Sequence, residues 1–303
     1  MMKLTPFQQK ITELLPQIVM RYDEPLSKHT SFHIGGPASV MAFPKSDDQL
    51  SEILKQSALL DCKTVILGAG TNVLAPDEGI DGLVIVLKDG LDAMELLEGA
   101  RIRVAAGVTM TRLAVFAANN GLSGLEFAHG IPGTVGGGVY MNAGAYGGEI
   151  CQVCQSVDVM DNEGNIKTYT CEDMHFSYRH SRLEEDGGIV LRAVFSLTEK
   201  PQEQIKALMQ DLMGRRKASQ PLDLPSAGSA FKRPKQGYAA ALIDQAGLKC
   251  FRIGDAAISL KHAGFAVNLG SATAADMKML LQTVAGKVYE NTGIMLEPEV
   301  RIL

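Results

Sequence analysis

Two glycine-rich runs and a group of cysteines carry the residue types and spacings that could do chemistry in this chain. The first run, Gly68-Ala69-Gly70-Thr71-Asn72, directly follows the apolar stretch Thr64 to Leu67. Its amides can turn outward as a concave nest for phosphate oxygens, with Thr71 and Asn72 adding polar contacts; a tight turn after a strand is the plainer alternative. Val73 stands where a Rossmann fingerprint needs its third glycine, and there is no Walker sequence, which disfavours a nicotinamide site of that kind. The second run extends from Gly130 through Ile131, Pro132, Gly133, Thr134, Gly136 and Gly137 to Gly138, and resumes from Asn142 to Gly148. Linkers pair glycine with serine, whereas glycine among Ile, Val, Tyr and Met marks close backbone approach to another segment or to a ligand. A large, flat, pyrophosphate-bearing cofactor is a ligand that would use two such nests.

Cys151 and Cys154 form a C-x-x-C, and with Cys171 and His175 they could nominally supply four zinc ligands. A tight structural zinc site has a second close-spaced ligand pair with its own turn chemistry, so small, partly buried thiols opening a strand are the preferred reading and no metal is expected. Five cysteines, odd in number and scattered, do not describe the disulfide framework of a secreted protein either.

The elements that must position these runs announce themselves by caps and periodicity. Thr5 with Gln8 makes a capping box around Pro6, followed by Phe7, Ile11, Leu14, Leu15 and Ile18 at helical spacing. A second box, Ser46 with Gln49, opens a helix through Leu50, Ile53 and Leu54, and Thr64 to Leu67 follows as a strand. Leu83 to Leu87 and Ile102 to Ala106 read as strands, Thr109 to Asn120 as a helix stopped by Gly121, and Val157 to Thr170 as a hairpin turning at Glu163-Gly164. Near Lys200 the texture changes: Pro201 begins a long helix with Ile205, Leu208, Met209, Leu212 and Met213 on one stripe, then a proline-bearing loop runs through Pro225. A further helix carries Met277, Leu280, Leu281, Val284 and Val288, and a final strand is expected from Gly293. The 14 methionines read as core filling.

At 303 residues and 46% hydrophobic composition, the chain can bury a substantial core in two or three lobes. A net charge of -5 argues against nucleic-acid or anionic-membrane partners, so any anion site is local. No apolar run approaches the roughly 18 residues of a membrane span. The start, Met1 to Pro6, lacks a signal-peptide apolar stretch, and a cytoplasmic location is expected.

The run from Gly124-Leu125-Glu126-Phe127 through Gly130 to Glu149 resembles the flavin-binding core of UDP-N-acetylenolpyruvoylglucosamine reductases, the MurB family. The resemblance spans nearly the whole chain, through Thr30 to Gly36, Gly68 to Leu74, Phe176 to Ser181, Pro225 to Lys232 and Leu296 to Ile302. It implies an α+β fold: a two-subdomain FAD-binding fold of the vanillyl-alcohol-oxidase (PCMH) type followed by an α/β substrate-binding domain. The expected boundaries are 1–88 and 89–200 for the subdomains that hold FAD between them, and 201–303 for the substrate domain, with 293–303 returning to the FAD side. Only Arg182 to Gly188 separates the Tyr178-Arg179 motif from the next strand, which leaves no room for the substrate-covering insertion of the family's longer class and points to the shorter one. Gly138 where alanine is common, Asp255 where glycine is common, and Leu303 without a trailing glycine depart from the family pattern.

The resemblance further implies an NADPH-dependent, FAD-mediated reduction of UDP-N-acetylglucosamine enolpyruvate to UDP-N-acetylmuramate in peptidoglycan precursor synthesis. FAD contacts fall on Gly68, Ala69, Gly70, Thr71, Asn72 and Val73, and on Gly130, Ile131, Pro132, Gly133, Thr134, Gly136 and Gly137. Arg179 corresponds to the arginine that engages the substrate carboxylate, with Tyr178 supporting it; taken alone, Arg179 reads as a surface residue. Ser229 corresponds to the proton donor, although unaided it reads as a turn serine and Ser226 looks equally plausible. Glu297, Glu299 and Arg301 alternate with Leu296, Pro298 and Val300 on one face, and the family pattern picks Glu299 to polarise the enol ether or its carboxylate. Arg216, Lys217, Lys232 and Arg233 bracket the serine loop as a local positive patch for the substrate diphosphate. The expected partners are the nucleotide sugar and NADPH, with no nucleic acid, no membrane and no more than weak oligomerisation. An oxidase of sugar-like alcohols on the same cofactor fold, or a nucleotide-sugar-binding scaffold, are the rival readings. The C-terminal motifs speak against the first, and the second predicts loss of Arg179, Ser229 or Glu299.

Overall fold

The computed structural model describes residues 4–88 and 90–303, and these divide into two compact units built from interleaved stretches of chain. The first unit takes in residues up to Asp23, Ser39–Ala69 and Asp81–Arg215; the second takes in Glu24–Ala38, Gly70–Ile80 and Arg216–Leu303.

Two sheets and the helices around them share the first core. A four-stranded sheet has the order Val19–Pro25, Pro37–Phe43, Ile80–Val86, Thr64–Leu67, the last two parallel. A five-stranded antiparallel sheet has the order Ile166–Thr170, Cys154–Met160, Ile189–Ser196, Arg101–Ala105, Met94–Leu97. Alternation does the work in the Arg101–Ala105 strand, where Ile102 and Val104 are fully buried and Arg103 points outward. They join Val40, Leu83, Ile85, Val157 and Ala193 in one continuous apolar cluster. The expected hairpin turns at Gly164, which is left-handed at φ 87.

Local caps behave as their chemistry dictates, with informative exceptions. Thr5 and Gln8 form a reciprocal capping box on the helix Pro6–Leu14. Ser46 accepts from the Gln49 amide at the start of Asp47–Leu59, but the Gln49 side chain turns to the Lys45 amide at 2.7 Å, so only half of the second box forms. The helix Gln202–Ser219 buries Ile205 and Met209 yet leaves Leu208 46% exposed, so its apolar stripe is narrower than its sequence suggests.

In the second unit, a four-stranded antiparallel sheet has the order Ser226–Ser229, Phe265–Asn268, Ala256–Ile258, Arg252–Ile253. The helix Ala274–Thr292 packs Met277, Leu280, Leu281, Val284 and Val288 into a second core with Phe32, Ile34, Leu74 and Phe231. A Thr273/Asp276 capping box opens it, and Asp77 accepts from the Ala274 and Ala275 amides at 2.7 and 3.0 Å, placing a carboxylate at the positive helix end. Gly293 closes the helix in a left-handed cap at φ 71, so the strand expected from that residue starts later, as Arg301–Ile302 running parallel to Val73–Leu74. No helix of the described residues is long and apolar enough to cross a membrane.

Candidate active site

The nest is open to a ligand. Among the described residues, none of the backbone N–H groups of Gly68, Ala69, Gly70, Thr71 and Asn72 donates to a protein acceptor, although this stretch is half-buried to buried. Backbone donors in such a place are rarely left unmade, so these amides are available to an anion. The turn is held open from outside: the Gly70 carbonyl accepts from the Ser31 amide at 3.0 Å, and a Cβ on Gly70 would come within 2.0 Å of the His29 carbonyl oxygen.

The two glycine runs meet in the first unit, where a Cβ on Gly68 would lie 2.4 Å from Thr134 Oγ1. Thr134 caps the short helix Val135–Tyr140 by accepting from the Gly137 amide, and the Gly136 amide donates to Ala106. Much of the second run is glycine because other chain segments press on it: a Cβ on Gly136 would meet Ala106 Cβ at 2.9 Å, and one on Gly148 would meet the Phe127 ring at 2.5 Å. Gly138, a departure from the family pattern, leaves room for Met110 Sδ, which a Cβ would approach to 2.9 Å.

Arg179 also belongs to the first unit. It occupies a two-residue turn closed by Ser177 N donating to His180 O at 3.1 Å and His180 N donating to Ser177 O at 3.2 Å, and it is left-handed at φ 56. A non-glycine residue pays strain to hold that conformation, and such strain clusters at functional positions. Its Nη2 donates to the Gly144 carbonyl at 3.1 Å, and its guanidinium lies 5.0 Å from the Tyr178 ring centroid. The connection after this turn is short, a helical turn Leu183–Asp186 and two left-handed glycines.

The backbone segments that carry Ser229 and Glu299 run side by side in the second unit. Glu299 N donates to the carbonyl of Ala230 at 2.9 Å, Phe231 bridges Pro298, and Lys232 N donates to Glu297 O at 2.8 Å, so the serine segment lies along the closing segment. Both serines pair with the same neighbouring strand, Ser226 with Val267 and Ser229 with Phe265, but Ser229 is the one next to Ala230 at that junction. On its other side the closing segment reaches the nest: Asn72 Nδ2 donates to Glu299 O at 3.1 Å and Arg301 N donates to Asn72 O at 3.0 Å. Of the two glutamates, Glu297 is exposed and its carboxylate pairs with Lys232 at 2.5 Å, while Glu299 is half-buried.

The basic patch is partly engaged already. Lys232 has its Glu297 partner, Arg233 stacks on Tyr238 at 4.2 Å, and the Lys217 carbonyl accepts from Lys261 Nζ at 2.6 Å. Lys261, which sequence spacing did not single out, thus joins the group by folding alone. Asn142 is the other residue missed; it is 1% exposed behind the Arg179 turn, and the signal available was an asparagine amid a glycine-rich run. Burial raises the pKa of Cys151 and Cys171 and pushes Cys154 up to about 12, which disfavours their thiolates, and Cys171 Sγ donates to the Cys151 carbonyl at 3.3 Å. Among the described residues no group of three or more His, Cys, Asp or Glu is arranged to hold a metal.

Comparison with known proteins bears on this geometry. Residues 220–303 match the C-terminal domain family of UDP-N-acetylenolpyruvoylglucosamine reductase, and residues 38–170 match an FAD-binding domain family. The UDP-N-acetylenolpyruvoylglucosamine reductase of Agathobacter rectalis is 44% identical over 98% of this chain and 98% of its own. This chain belongs to the UDP-N-acetylenolpyruvoylglucosamine reductase family. A crystal structure of the family's enzyme from Thermus caldophilus superposes with a TM-score of 0.80 at 37% identity, covering 94% of this chain and 98% of that one. A chitooligosaccharide oxidase, at 14% identity and a TM-score of 0.50 over 95% of this chain and 60% of its own, shares the fold alone.

As a member of the reductase family the chain is an FAD-dependent oxidoreductase with the α+β, vanillyl-alcohol-oxidase-type fold that its motifs imply. The residues present fit that cofactor: the unpaired amides of Gly70, Thr71 and Asn72 in the second unit are suited to its pyrophosphate, with the Thr71 and Asn72 side chains beside them.

Proposed function

We propose that this chain catalyses the NADPH-dependent, FAD-mediated reduction of UDP-N-acetylglucosamine enolpyruvate to UDP-N-acetylmuramate for peptidoglycan precursor synthesis. The observation that carries it is the closing segment, which joins the serine strand on one side to the anion nest on the other. Bound FAD supplies the redox chemistry, carrying two electrons from NADPH to the enolpyruvyl alkene. The forked Arg179 guanidinium engages the substrate carboxylate and stabilises the negative charge that grows there, with Tyr178 stacked against it. Ser229 Oγ gives a proton to the adjacent carbon, which is basic enough to accept one from a hydroxyl. Glu299 polarises the enol ether or its carboxylate. Arg216, Lys217, Lys232 and Arg233 take the diphosphate, Lys232 exchanging its exposed Glu297 partner, a pair worth at most about 1 kcal/mol. In this reading the reaction is cytoplasmic and the enzyme acts as a monomer or weak oligomer without nucleic-acid or membrane partners.

Anaerobic NADPH should bleach the yellow protein, and the enolpyruvyl nucleotide sugar should restore its colour. Ser229→Ala should bleach normally but recover roughly 100-fold or more slowly. Recovery with oxygen alone and indifference to the nucleotide sugar would instead identify an oxidase.

A further inference from the structure

Behind Arg179 lies a buried amide whose two donors and carbonyl oxygen are all engaged in holding that arginine's surroundings. Asn142 Nδ2 donates to Ser177 O at 2.9 Å and to Glu149 Oε2 at 3.1 Å, and its Oδ1 accepts from Cys151 N at 3.0 Å. Ser177 opens the turn that carries Arg179. Glu149 pairs in register with Gly144, whose carbonyl is the acceptor for Arg179 Nη2. Both the backbone that bears the arginine and the carbonyl that receives its guanidinium are therefore tied to one side chain.

We propose that Asn142 is the positioning residue for Arg179, fixing where the guanidinium meets the substrate carboxylate; this rests on the role of Arg179 given above. A left-handed arginine in a two-residue turn keeps its place only where its surroundings over-determine it, and Asn142 supplies that constraint. Asn142 is itself left-handed at φ 41, a conformation asparagine tolerates better than most residues. An amide is needed because both donors and the acceptor are used. Alanine would strand the Cys151 N–H and remove one tie on Ser177, and aspartate would set a second carboxylate against Glu149.

The test follows flavin absorbance through the separate half-reactions of Asn142→Ala, Asn142→Ser, Arg179→Ala and the Asn142→Ala/Arg179→Ala double variant, each purified with FAD. Positioning predicts that reduction of Asn142→Ala by NADPH stays within about twofold of the parent while reoxidation by the enolpyruvyl nucleotide sugar slows about 10- to 100-fold. Asn142→Ser, which keeps part of the hydrogen bonding, should recover some of that loss. The double variant should reoxidise no more slowly than Arg179→Ala, because a positioning residue has nothing left to position. The inference is overturned by normal reoxidation of Asn142→Ala while Arg179→Ala is slow, by additive losses in the double variant, by equal slowing of both half-reactions, or by failure of both position-142 variants to fold with flavin. Normal reoxidation of Arg179→Ala would refute the prior reading of Arg179 instead, and the inference with it.

Discussion

Asn72 Nδ2 donates to the carbonyl of Glu299 across 227 positions of sequence, at 3.1 Å. One side chain of the anion nest thereby anchors the backbone of Glu299, the glutamate proposed to polarise the substrate. Asn72→Ala should lower stability by about 1 kcal/mol, as for one lost hydrogen bond, and should weaken FAD binding and kcat together. Flavin fluorescence titration and steady-state rates check this; unchanged flavin affinity and kcat would leave the contact with a structural role only.

Two glycines should respond oppositely to alanine. Gly70 is left-handed at φ 63 with the His29 carbonyl where a Cβ would go, so Gly70→Ala should cost about 2 kcal/mol or more and release flavin. Gly214, within the helix Gln202–Ser219, has open space around the Cβ position, so Gly214→Ala should add about 0.5 to 1 kcal/mol. Urea unfolding of the two variants measures both signs.

Burial lowers the pKa of the half-buried His262 below the usual histidine range, and nearby Lys249 adds to the effect. The folded protein then binds this proton less readily than the unfolded chain. The associated stability is present above the unfolded pKa of about 6.5 and is lost as pH falls through that value toward the folded pKa. Melting temperatures recorded between about pH 7.5 and 5 should fall less steeply for His262→Gln than for the parent; identical slopes would assign the acid sensitivity elsewhere.

Cys154 is 5% exposed and its pKa is pushed up to about 12, whereas Cys250 is exposed. Iodoacetamide at neutral pH should alkylate Cys250 in the folded protein and spare Cys154 until denaturant is added, because the thiolate is the nucleophile. Peptide mass spectrometry decides it, and early labelling of Cys154 would show that its strand opens readily.

Local chemistry is what the sequence by itself determined. The capping box at Thr5, the strand at Thr64–Leu67, the hairpin turning at Gly164 and the long helix through Met277 depend on contacts a few residues apart and on which positions repeat on one face. The motifs at Gly68, Gly130 and Ser229 were legible as a family pattern. Tertiary structure alone decided that Glu24–Ala38 and Gly70–Ile80 join the C-terminal unit, that Glu299 lies beside the Ser229 segment while Glu297 pairs with Lys232, and that Asn142 stands behind Arg179. Periodicity states that a face is buried but not what covers it, and a hydrogen bond spanning 227 positions leaves no trace in either local sequence.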